Sequence, residues 1–154
     1  MGHDVAPMRP AALTVVLLTL AACGGGGGRD TGAKAVVATG DGEVVVNVDV
    51  ADTEGEHRCG LMGRHALADD AGMVFVFPET VSGAFWMKDT LIPLSIAFYD
   101  DDGRILRILD MAPCRQDPCR LYDPRVAYRG ALEVNRGAFE RWGVAEGDRL
   151  RLER

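Results

Sequence analysis

Val44-Val45-Val46-Asn47-Val48-Asp49-Val50 sets Val44, Val46, Val48 and Val50 on one side of an extended chain and Asn47 and Asp49 on the other. Period-two alternation in a β-branched run marks a half-buried strand. Upstream, residues 34–39 form a weaker strand, joined to the first through Gly40-Asp41-Gly42, which has hairpin chemistry. Downstream, Thr53-Glu54-Gly55-Glu56 fits a capping box. It predicts a short helix over residues 54–62, stopped by Gly63. Further strands are predicted over residues 72–78, ended by Pro78, and over 84–87 and 95–99. Asp101-Asp102-Gly103 turns the chain into a strand over 104–110. Residues 111–125, rich in Pro, Asp and Arg, read as a loop before a strand over 127–134. Asn135 then caps a helix over 136–142, with Gly143 at its stop and a last strand over 148–152. The expected class is mainly β, of α+β type. It is one compact barrel-like or strongly curved sheet with two short helices, spanning residues 34–154.

Before this domain the composition changes. Residues 11–20 are apolar or small apart from two threonines, with Arg9 ahead of them. The stretch is too short to span a bilayer, which takes about 20 residues, but it suits the apolar region of an export signal. Leu20-Ala21-Ala22-Cys23 closes it and resembles a bacterial lipobox, so residues 1–22 read as a signal peptide and Cys23 as the lipidated residue. The start could be Met1 or Met8. Gly24–Gly28 and the residues to 33 read as a tether. The expected location is the cell envelope, outside the cytoplasm, with a membrane partner reached through the lipid. Formal charge is −6, and losing residues 1–22 removes one acid and one base, leaving it unchanged. That balance argues against nucleic acid as a partner.

Export also frames the cysteines. Cys114 and Cys119 are separated by four residues that include Asp117-Pro118, and an oxidising compartment makes this spacing a disulfide staple. A redox pair is the alternative, although its usual spacing is Cys-x-x-Cys. Cys59 is left odd and reads as a buried free thiol, with a metal ligand or an intermolecular disulfide as alternatives.

Four motifs lie in order between His57 and Asp100. They are Gly-Leu-Met-Gly-Arg (60–64), Gly-Met-Val-Phe-Val-Phe-Pro (72–78), Phe-Trp-Met-Lys-Asp-Thr (85–90) and Ile-Pro-Leu-Ser-Ile-Ala-Phe-Tyr-Asp (92–100). Together with the later Pro-Cys pair, Leu132-Glu133 and Gly147-Asp148, they resemble the family known as domain of unknown function 192. The resemblance implies a compact, mainly β domain, often exported, and no established reaction. Two positions depart from the family pattern. Asp89 stands where the family usually has Asn, and Ser95 where it usually has Asp. Asp89 reads as a turn residue, since Asn and Asp both suit turns.

Candidate ligand-binding residues are Arg64, Trp86, Lys88, Asp89 and Glu133. Alternation places Phe85 and Met87 on one face of their strand and Trp86 and Lys88 on the other. Trp86 and Lys88 could then line a shallow cleft, or else Trp86 covers the core while Lys88 lies over it. Arg64 or Lys88 pairing with Asp110 or Glu133 would make an ion pair or a polar pocket. No paired carboxylates, Ser-His-Asp arrangement, phosphate loop or His-Glu-x-x-His motif is present, and no cofactor or metal site is called for. His57 and His65, two histidines on one short segment, are weak acid–base candidates.

The expected function is a small-ligand or partner-protein binding module of the envelope. An enzyme acting on an envelope substrate is the alternative, with Lys88, Asp89 or Glu133 as polar groups. A deep pocket around a residue of shifted pKa marks the enzyme, and a shallow aromatic patch marks binding. Copper handling is a third reading, from Met62, Met73, Met87, Met111, Cys59, His57 and His65.

Overall fold

β1 (Arg29–Thr39) and β2 (Gly42–Ala51) open the domain as an antiparallel pair, and α1 (Glu54–Cys59) follows. Then come β3 (Ala71–Val81), β4 (Phe85–Trp86), β5 (Leu94–Tyr99), β6 (Ile105–Met111) and β7 (Leu121–Tyr122). β8 (Tyr128–Asn135), α2 (Ala138–Arg141) and β9 (Arg149–Glu153) complete it. This computed structural model describes residue 23 and residues 29–154. The expected signal peptide and the Gly24–Gly28 run lie outside the described residues.

Seven strands form one sheet in the order β6-β5-β8-β3-β2-β1-β9, and β4 pairs with β7 in a second, two-stranded sheet. The large sheet curls until its two edges meet at one end. Arg104, just before β6, bridges Arg149 of β9, and the Leu150 N–H donates to the Gly103 carbonyl at 2.7 Å. The fold is therefore mainly β and strongly curved, with contact between its edges at one end rather than closure along their length.

Alternation gives the sheet two apolar faces. Val46, Val48, Val50, Val74, Leu132, Val134, Ile105 and Leu150 point into the curl, with Phe139 of α2 and Val144. Met73, Phe75, Leu94, Ile96, Phe98 and Ala131 point outward and are covered by Leu61, Met87, Tyr122 and Tyr128. The outer face, although convex, is thus also core. The segments that cover it carry the motifs singled out in the sequence.

Several boundaries differ from expectation for physical reasons. β1 begins at Arg29, inside the segment read as tether. α1 stops at Gly60, not Gly63; Gly60 has a φ of 47°, which favours glycine. Pro78 does not end β3. Pairing with β2 runs only to Phe75, and pairing with β8 breaks after Val76, so Pro78 sits where no ladder partner needs its missing N–H. Asn135 does not cap α2. Its amide donates to the carbonyls of Leu67 and Ala68 at 2.9 and 3.1 Å, while Gly137, at φ 74°, starts the helix. β7 lies inside the stretch read as loop.

Candidate functional site

Leu132 and Val134 face the interior of the curl, so the residue between them, Glu133, must face the outer core. Its neighbours across the sheet are Met73 on β3 and Ile96 on β5. Neither side chain offers it a donor. The residue is 4% exposed, and no hydrogen bond or ion pair to its carboxyl is found among the described residues. Burial pushes its pKa from 4.5 up to about 8. At neutral pH this is mainly a protonated acid in an apolar surrounding.

Glu133 lines a cavity of about 30 Å³ with His57, Arg58, Cys59, Gly60, Leu61, Met62, Phe75, Phe85, Trp86 and Thr90. That volume holds roughly one small polar group. Local sequence builds each wall. The Thr53 hydroxyl accepts from the Glu56 N–H at 3.3 Å, and the Glu56 carboxylate accepts from the Thr53 N–H at 3.1 Å, completing the predicted capping box. His57 on that helix donates from Nε2 to the carbonyls of Ala51 and Val76, at 3.0 and 3.1 Å. Both partners are acceptors, so Nε2 carries the proton and is committed to holding α1 on the sheet.

The turn after α1 is tied to the one after β4, since the Gly63 N–H donates to the Asp89 carbonyl at 2.9 Å. Asp89 has φ 53°, the left-handed conformation that Asn and Asp tolerate best. It is a turn residue, as the sequence suggested.

Trp86 is 48% exposed, while Met87 is buried and Phe85 packs edge-on against Phe75 and Phe98. The Lys88 ammonium lies 5.8 Å from the centre of the Trp86 ring. Leu121, opposite Trp86 on β7, is also exposed.

The five predicted ligand residues therefore do not form one site. Trp86 and Glu133 share the cavity. Lys88 and Asp89 border a separate groove against Cys114, Arg115, Gln116, Asp117 and Cys119. Arg64 lies elsewhere, pairing with Asp49 beside Asn47 and Leu67. The expected pairing of Arg64 or Lys88 with Asp110 or Glu133 does not occur. Asp110 accepts from the Ser95 hydroxyl at 2.5 Å and pairs with Arg136 at 3.5 Å. Sequence reading also missed Leu61, Met62 and Thr90 as cavity walls. The available signal was the ordered motif pair at 60–64 and 85–90, whose turns are bonded to each other.

Cys114 and Cys119 form the expected disulfide. Cys59 is not a free thiol: it is bonded to Cys23. That bond and a lipid thioether would compete for the same sulfur. These contacts also remove donors the copper reading needed. His57 Nε2 is occupied, and Met73, Met87 and Met111 are buried core side chains.

Residues 36–152 match the family model DUF192, described as an uncharacterized ACR. The chain belongs to this family. Two solved structures share the fold. One, from Sinorhizobium meliloti 1021 and provisionally described as a transcription regulator, is 34% identical with a TM-score of 0.72, covering 77% of this chain and 92% of that one. The other, a protein of unknown function from Novosphingobium aromaticivorans DSM 12444, is 30% identical with a TM-score of 0.69, covering 77% and 83%. No curated protein matches the chain.

Proposed function

We propose that this DUF192 chain is an extracytoplasmic small-ligand binding domain of the cell envelope, anchored through lipid on Cys23. The observation that carries the binding reading is the buried, unpartnered Glu133 carboxyl in a cavity whose wall continues to half-exposed Trp86. A buried polar group without a partner costs stability, and a ligand that supplies the partner recovers it. The lipobox-like Leu20-Ala21-Ala22-Cys23 and the glycine run support anchoring. The Cys114–Cys119 disulfide fits an oxidising compartment. A net charge of −6 suits nucleic acid poorly, which argues against a transcription-regulator role for this chain.

Screening small-molecule fragments by amide NMR tests the binding reading. Shifts are expected to cluster at Gly60, Leu61, Trp86 and Thr90 and to vanish in Trp86→Ala. Hits confined to other surfaces, or none, would contradict it.

One observation favours an enzyme instead. A carboxyl with a pKa of about 8 is a suitable proton donor at neutral pH. Its cavity holds room for one small group, and the other polar side chains there are engaged: His57 as above, and the Thr90 hydroxyl with the Lys88 carbonyl at 3.3 Å.

A further inference from the structure

We infer that the Glu133 cavity takes the terminal ammonium of a small aliphatic primary amine. This rests on reading the cavity as a ligand site and names the chemistry of its ligand.

The acceptor comes first. Glu133 can offer two carboxylate oxygens, is 4% exposed, and has Met73 and Ile96 as its sheet neighbours. Once ionised, Glu133 lacks a donor, and an anion would then face direct repulsion; the protonated form can itself donate from its O–H. Size comes next. About 30 Å³ admits a single head group such as –NH₃⁺, with the rest of the molecule outside.

The walls then choose between a cation and a neutral donor. Phe75, Phe85 and Trp86 line the cavity with Leu61 and Met62. Aromatic rings attract ammonium groups, most strongly where water is excluded. Trp86 already has a cation near it, the Lys88 ammonium. The protein's own charges at the cavity do not fill the role. Arg58 is 74% exposed in its side chain and pairs with Glu54 at 3.7 Å, and His57 Nε2–H is held by two carbonyls.

The test is calorimetric titration of the full chain with n-butylammonium and with n-butanol, its uncharged counterpart. The amine stays protonated to about pH 10.4, whereas Glu133 ionises around pH 8. n-Butylammonium should bind about tenfold more tightly at pH 9 than at pH 7, because the ionised fraction of Glu133 rises about tenfold between them. n-Butanol should not bind measurably. Glu133→Gln should weaken n-butylammonium at least tenfold and abolish the pH dependence. Should that variant fail to fold, Trp86→Ala, at an exposed position, should still weaken binding several-fold. Nα-acetyl-lysinamide separates the sources: tighter binding than n-butylammonium points to a peptide-borne amine, weaker binding to a free one.

Equal binding of n-butanol would overturn the ammonium assignment while leaving a ligand site. Binding unchanged in Glu133→Gln would move the site away from this cavity. Absence of binding by either probe, with fragment shifts still present at the cavity, would sink the ammonium assignment alone. Absence of both would sink the ligand site as well.

Discussion

Glu133 and Trp86 line the same cavity, the first 4% and the second 48% exposed. The buried member makes stability depend on pH. Its folded pKa, about 8, lies above the unfolded value near 4.5, so the folded chain keeps a proton that the unfolded chain releases between them. Stability should be highest below about pH 4.5 as far as this group is concerned, fall as pH rises to about 8, and then level off. The span is at most roughly 4–5 kcal/mol. Glu133→Gln removes the titration, so its melting temperature should exceed that of the parent above pH 8 and change less across the window. Thermal melts of both proteins from pH 5 to pH 9 check this; parallel curves would contradict it.

Trp86→Ala should cost about 1 kcal/mol or less, in keeping with a surface position. Phe75→Ala, fully inside the outer core, should cost about 3–5 kcal/mol. Urea unfolding of the two variants measures the difference. A loss at Trp86 as large as that at Phe75 would mean the indole is structural.

Gly130→Ala should fail to fold or unfold at much lower temperature. A Cβ there would lie 2.2 Å from the Tyr99 hydroxyl oxygen and 2.7 Å from the Phe75 carbonyl oxygen. Since Tyr99 is nearly buried, it has little freedom to move away. Tyr99→Phe combined with Gly130→Ala should recover little, because the ring and the backbone oxygen remain. A normal melt for Gly130→Ala would contradict the packing described.

Cysteine chemistry separates the two fates of Cys23. Chain extracted from membranes should carry diacylglycerol on Cys23, and Cys59 should then react with iodoacetamide without prior reduction. Cys114 and Cys119 should stay unreactive in either case, and losing that short loop closure should cost about 2 kcal/mol. Mass measurement of peptides reads all three. A Cys23–Cys59 disulfide in the membrane-extracted protein, with no lipid, would contradict the anchor.

Much of this architecture was legible because local signals and packing agree. The alternation in residues 44–50, the Thr53/Glu56 box and the turn at Asp101-Asp102-Gly103 each specify their own conformation within a few residues. The site was less legible because its members meet through long-range pairing. Glu133 looks like one more polar residue in a strand until β3 and β5 place Met73 and Ile96 beside it. Arg64 looked free to reach Glu133, but it pairs with Asp49 across 15 residues of sequence. Asn135 had the chemistry of a helix cap, yet the Leu67 and Ala68 carbonyls, far away in sequence, took its amide. Local pattern cannot see such competitors.

Glu133 is a protonated carboxyl without a side-chain partner among the described residues, in a cavity of mixed polar and apolar lining. The most direct measurement is a ¹³C NMR titration of the Glu133 side-chain carboxyl in the full chain without ligand. A midpoint near pH 8 is predicted; a midpoint near 4.5, the value of a carboxyl in water, would contradict the account.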